Sequence, residues 1–133
     1  MPYSAVWDSF EQSTAREGTA SHGEMVRKLD ALTDDPSRKL VLHMRFPDTY
    51  DPPLRCIESP VTEIDLTFIK EGLVAEWYPR AKSLMSHMRR MLAEGQEGLR
   101  ALTLGRAVED ETGSLYLVGW NSIEVCVSVV WRT

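Results

Sequence analysis

The sequence predicts an α+β fold, in which helices pack on one face of an antiparallel sheet. Residues 61–69 alternate between apolar and polar side chains, which is typical of a half-buried strand. The segment that follows Pro79 carries apolar residues at helical spacing. Residues 99–120 hold two apolar runs separated by a polar turn, which is the pattern of a β-hairpin.

A short pattern occurs near both ends of the chain, at residues 3–11 and at residues 116–124. Both segments read Tyr-x-x-x-Trp-(Asp/Asn)-Ser-(Phe/Ile)-Glu. The pattern predicts a strand that ends at the Trp and a helix that the Ser caps. In the first copy the strand covers residues 3–7, and Ser9 with Gln12 matches a capping box.

Further elements follow before the middle of the chain. Ser21 and Glu24 match a second capping box, and an apolar stripe at helical spacing comes after it. Residues 40–46 alternate and predict a strand with His43 and Arg45 on one face. Residues 47–60 contain four prolines and predict a long loop.

The second half starts with the strand at residues 61–69. Its two faces are Val61, Glu63, Asp65 and Thr67 on one side and Thr62, Ile64, Leu66 and Phe68 on the other. Pro79 suits the first position of a helix, which predicts that Trp77 and Tyr78 lie on the preceding turn.

Gly95 is placed to end that helix, and the hairpin at residues 99–120 follows. At residues 122–128 the repeat favours a helix, whereas the β-branched residues there favour a strand. We expect the helix, and the whole order β, α, β, β, α, β, β suits a ferredoxin-like sheet.

Size and charge exclude several classes of protein. A chain of 133 residues predicts one domain over residues 1–133. The net charge of −5 argues against a nucleic-acid partner or an anionic membrane surface. Apolar runs are too short for a membrane span, and no secretory signal pattern is visible, so we expect a cytoplasmic protein. Cys56 and Cys126 lie in no C-x-x-C motif and are expected to be reduced.

The Trp-x-Ser-x-Glu pattern at residues 7–11 and 120–124, where a strand leads into a helix, resembles the dimeric α/β-barrel superfamily. Its antibiotic-biosynthesis-monooxygenase-like branch is the most similar. The order differs, because residues 1–46 resemble the end of one module and residues 61–133 the start of the next. This order leaves open whether the chain closes its own sheet or completes it with a partner.

The resemblance implies a ferredoxin-like sheet, a homodimer formed through the sheet face away from the helices, and a pocket between sheet and helices. Members of the superfamily include cofactor-independent oxygenases, dehalogenases, polyketide cyclases and proteins with no known reaction. The implied substrate is a small aromatic or polyketide-like molecule of secondary metabolism.

The candidate catalytic residues are His43, Arg45, Glu63 and Asp65. A neutral histidine among apolar neighbours suits a general base near neutral pH. Arg45 would stabilise an enolate or a carboxylate, and Glu63 or Asp65 would orient the imidazole. A buried structural histidine and a surface ion-pair arginine are the alternatives.

Aromatic side chains are the candidate substrate-binding residues, with one histidine that flanks a helix stripe. These are Trp7, Trp77, Tyr78, His87, Tyr116 and Trp120. The same aromatic residues would also serve in a hydrophobic core. No zinc-binding or nucleotide-binding motif is present in the sequence, so neither a metal nor an organic cofactor is expected.

The sequence therefore predicts a cofactor-independent enzyme, which oxygenates or cyclises or isomerises its substrate. The alternative is a ligand-binding or assembly protein of the same fold that catalyses no reaction.

Overall fold

The computed structural model describes residues 7–38, 40–95 and 98–130, with side chains up to Ser128. The chain divides into two compact units, residues 1–41 and 42–133, and each is described by itself. The prediction of one domain stays a prediction. No helix in the described ranges is long and apolar enough to cross a membrane.

The N-terminal unit contains the helices α1, Phe10–Glu17, and α2, Ala20–Asp30, followed by a 3₁₀ turn, Pro36–Arg38. The side chain of Ser9 accepts a hydrogen bond from the Gln12 backbone N–H at 3.2 Å, which confirms the predicted cap. The second predicted cap is wrong. Thr19 caps α2 by accepting from the His22 N–H, so that Ser21 already lies inside the helix.

The C-terminal unit is built on a four-stranded antiparallel sheet with the order β1-β3-β4-β2. The strands are β1, Met44–Arg45, β2, Val61–Phe68, β3, Leu99–Ala107, and β4, Gly113–Trp120. The helices are α3, Pro53–Ile57, α4, Val74–Ala93, and α5, Ile123–Val130. This architecture confirms the α+β prediction, the hairpin and the C-terminal helix, and it is compatible with a ferredoxin-like fold.

Two predictions between residues 40 and 60 are wrong. The strand predicted over residues 40–46 is reduced to β1, because β3 ends at Ala107, the partner of Met44. The predicted loop at residues 47–60 contains α3, whose first residue is Pro53. The predicted strand at residues 3–7 lies outside the described residues except for Trp7, which belongs to no strand.

One face of the sheet, which we call the helix face, packs against α4 and α5. Its buried side chains include Leu102 and Leu104 of β3 and Val118 and Trp120 of β4. The opposite face packs against α3, where Cys56 contacts Ala101 and Leu117. Helices therefore lie on both faces rather than on one, although the two longer ones share the helix face.

The predicted start of α4 is wrong, since the helix begins at Val74 and Pro79 lies inside it. A proline can occupy a helix interior only by losing a backbone hydrogen bond. The helix starts early because Gly72, with φ 82°, reverses the chain directly before it. Consequently Trp77 and Tyr78 belong to the helix and not to a turn.

Gly98 allows α5 to approach the start of β3. Its φ is 94°, and a Cβ placed there would lie 2.3 Å from Cγ1 of Val125. The Gly98 carbonyl also accepts a hydrogen bond of 2.7 Å from the Asn121 N–H. Gly95, with φ 75°, has no atom near the same position and ends α4 as predicted.

We predict that Gly98→Ala destabilises the protein more than Gly95→Ala does. The control carries only the cost of a left-handed alanine, roughly 1–2 kcal/mol. Gly98→Ala adds an overpacking cost of about 1–3 kcal/mol against Val125. Urea unfolding of both variants measures the difference, and equal losses would contradict the close approach of α5.

Candidate active site

Two arginines mark one corner of the helix face. Arg45 of β1 lies directly opposite Arg106 of β3, so their side chains lie on the same side of the sheet. The Arg106 guanidinium lies over the ring of Tyr78, 4.1 Å from its centroid. Because Tyr78 belongs to α4, this side is the helix face.

His43 lies at the same corner, two residues before Arg45 in the chain. The Val108 N–H donates to the His43 carbonyl at 2.8 Å, so backbone pairing continues past β1. Alternation along extended chain places His43 on the side of Arg45. We call His43, Arg45, Tyr78, Arg106 and Glu109 the corner site.

Glu109 holds His43 in two ways. Its carboxylate accepts the His43 backbone N–H at 3.1 and 3.2 Å, and it also contacts Nδ1 of the ring. Desolvation acts to raise the pKa of Glu109, but the hydrogen bonds from the His43 ring and backbone outweigh it and lower the pKa. A proton on Nδ1 that faces this carboxylate places the basic lone pair of the imidazole on Nε2.

Aromatic side chains continue the helix face beyond the corner site. The Trp77 ring lies 5.0 Å from Tyr78 and 6.0 Å from Tyr116, measured between centroids. The Tyr78 hydroxyl is buried and has no hydrogen-bond partner among the described residues. Burial, then the negative charge of Asp65, raises the pKa of Tyr116 to about 12, so this phenol stays protonated.

The sheet separates the predicted acids from the histidine. Asp65 lies opposite Tyr116 on β2, three strands away from Arg45. At the usual strand spacing this is roughly 14 Å, so Asp65 does not orient His43. Glu63 lies two residue pairs further along β2, opposite Val118, and does not reach His43 either.

Glu63 instead stabilises the far end of the helix face. Its Oε2 accepts from Trp120 Nε1 at 2.9 Å and from Cys126 Sγ at 3.4 Å. Burial, together with Glu63, raises the pKa of the Cys126 thiol to about 11, which rules out a thiolate nucleophile near neutral pH. Trp120 is 1% exposed and lies roughly 30 Å along β3 from His43, so it serves the core.

The two remaining candidates are Trp7 and His87. Trp7 belongs to the N-terminal unit, where the Arg16 guanidinium lies 5.5 Å from its ring centroid. His87 is exposed on α4, and its Nδ1 lies 3.5 Å from Nη2 of Arg90. A shallow depression in the N-terminal unit, from Leu32 to Arg38, is lined by none of the predicted site residues.

His43, Arg45 and the aromatic residues were predicted from the sequence, whereas Glu109, Arg106 and Tyr50 were not. Glu109 was assigned to a polar turn, and it is 66 residues from His43 in the chain. Arg106 lay in the predicted strand at residues 99–108 and was not singled out there. Tyr50, which packs on the helix face beneath Arg89, lay in the predicted loop.

Comparisons with protein-family models, with curated proteins and with solved structures found no match. The resemblance to the antibiotic-biosynthesis-monooxygenase-like branch therefore stays a prediction, and the function is argued from the residues of the site.

We predict that Glu109→Gln destabilises the protein near neutral pH but not at acid pH, where the carboxylate of the wild type is protonated. The folded pKa of Glu109 lies below its ordinary value of 4.5, so its stabilising contribution is full above that value. It is lost as the pH falls through the lower folded pKa. Because 39% of the side chain is exposed, screening limits the effect to a few tenths of a kcal/mol up to about 1 kcal/mol.

Thermal unfolding of the wild type and the variant from pH 3 to pH 8 measures this contribution. The two curves should converge at the acid end and separate as the pH rises. A gap that stays constant across the range would show that the carboxylate of Glu109 has no ionisation-dependent role.

Proposed function

We propose that the protein is a small-molecule enzyme in which His43 acts as a general base on an aromatic or polyketide-like substrate. The observation that carries this proposal is the contact between the Glu109 carboxylate and His43 Nδ1, on the same side of the sheet as two arginines. A base held by a carboxylate and set beside cationic groups suits removal of a proton from a phenol or from a carbon next to a carbonyl.

The roles in the site follow from this arrangement. Nε2 of His43 takes the proton, while Glu109 orients the ring and stabilises the imidazolium that forms. Arg45 and Arg106 stabilise the negative charge that develops on the substrate oxygen. Trp77, Tyr78 and Tyr116 bind the planar part of the substrate.

The same chemistry fits each reaction that the sequence resemblance implies. An enolate or phenolate reacts with dioxygen in an oxygenation, closes a ring in a cyclisation, or takes back a proton elsewhere in an isomerisation. We propose that no organic cofactor or metal takes part, and that the substrate belongs to secondary metabolism. This part rests on the resemblance alone.

We expect His43→Gln to lower turnover by about 10²–10⁴, because a glutamine cannot take the proton. The assay follows oxygen uptake and product masses over a panel of polycyclic phenols and β-diketones. His22→Gln, the same change in the N-terminal unit, should leave turnover unchanged. Undiminished turnover by folded His43→Gln protein would exclude histidine catalysis here.

A second candidate function, assembly into a homodimer, rests on a different observation. Ile64, Leu66 and Phe68 of β2 are 57%, 38% and 52% exposed, on the sheet face away from α4. A row of exposed apolar side chains on one strand is typical of a surface that another chain covers. We propose that a second copy covers it, and an assembly protein without catalysis would use the same surface.

Leu66→Lys should therefore give the mass of a single chain at micromolar concentration, where the wild type gives that of two. Light scattering after size-exclusion chromatography measures the mass. Leu84→Lys, which replaces a leucine that is 49% exposed on α4, is the matched control and should stay dimeric. A wild-type mass of one chain would refute the dimer, whatever the variants do.

A further inference from the structure

The paired side chains of Arg45 and Arg106 have no ion-pair partner among the described residues. Residues directly opposite each other on an antiparallel pair hold their Cβ atoms about 4.5–5.5 Å apart, and like charges there are destabilising. Neither arginine forms a salt bridge with any carboxylate in the described ranges. Two positive charges therefore lie side by side in a chain whose net charge is −5.

The nearby acids cannot neutralise this pair. Glu109 is occupied by the backbone and the ring of His43. Asp65 lies two strands from Arg106, opposite Tyr116. Two other acids pair with arginines elsewhere: Asp51 with Arg55 and Glu76 with Arg80.

Arg106 is held in a defined orientation. Its guanidinium lies 4.1 Å from the centroid of the Tyr78 ring, a distance typical of a cation–π contact. Such a contact fixes the plane of the guanidinium while its N–H groups stay available at the edge. The buried Tyr78 hydroxyl, which lacks a partner among the described residues, adds a further polar group near the aromatic residues.

We propose that Arg45 and Arg106 bind the carboxylate of an aromatic acid, so that the substrate of the proposed enzyme is an aromatic carboxylate. This inference rests on the proposed function, because the ring would lie against Tyr78 and Trp77. Guanidinium groups present N–H donors in a planar fork that matches the two oxygens of a carboxylate. A bound carboxylate would also offset the repulsion between the two guanidinium groups, and this favours its binding.

The test compares 1-naphthoate with 1-naphthol, which share a ring system but differ in charge near neutral pH. Isothermal titration calorimetry measures Kd for both ligands. We expect naphthoate to bind the wild type at least about tenfold more tightly, since a charged pair adds on the order of one tenfold step or more in affinity.

The double variant R45Q/R106Q should lose that preference and bind naphthol as the wild type does. R80Q/R90Q carries the same loss of charge on the exposed side of α4 and should retain the preference. R45K/R106K keeps both charges without the planar fork, so its preference should be intermediate. Circular dichroism confirms that each variant is folded.

Equal affinity of the wild type for the two ligands would overturn the carboxylate site and leave the aromatic site of the proposed function in place. Binding of neither ligand would overturn both. A preference for naphthoate that survives in R45Q/R106Q would assign the carboxylate to other residues and overturn the inference. The Lys variant also answers the case in which the Gln variant fails to fold.

Discussion

The register between β3 and β4 decides which side chains of the sheet face α4. It places Leu102 opposite Val118 and Leu104 opposite Tyr116, so that the large side chains of both strands face α4. A slip by one residue would turn these side chains to the opposite face, where Gly119 already lies against Ser59 of the segment after α3. The same alternation of side chains along β3 directs Arg106 toward Tyr78. Because Arg45 lies directly opposite Arg106, its side chain lies on that side of the sheet too.

The corner site forms where regular pairing ends. Just beyond the end of β3, the Val108 N–H donates a hydrogen bond to the His43 carbonyl. The His43 N–H donates in turn to the Glu109 carboxylate. One side chain thus satisfies the backbone at the end of a strand and holds the imidazole. In the proposed site Glu109 has a structural and a chemical role. The proposed ligand-binding role of the arginines is separable from both, because the contacts between Glu109 and His43 involve neither arginine.

Local sequence patterns predicted most elements of the fold but fewer residues of the candidate site. The alternation at residues 61–69 reports side-chain direction and predicted β2 correctly, but alternation at residues 40–46 says nothing about whether a partner strand is present. Pro79 was interpreted as a helix start because prolines favour that position, although Gly72 supplied the actual turn. His43 and Arg45 were found from their neighbours in sequence, whereas Glu109 and Arg106 join them only through the antiparallel return of the chain, which no local pattern contains.

The coupling free energy between His43 and Glu109 tests whether the Glu109 carboxylate holds the imidazole. Urea unfolding at neutral pH of the wild type, His43→Gln, Glu109→Gln and the double variant gives a double-mutant cycle. We expect a coupling free energy above about 0.5 kcal/mol, because the effects of changing residues in direct contact are not additive. Changes that add within about 0.3 kcal/mol would show that the two side chains do not interact, and Glu109 would then not orient the imidazole.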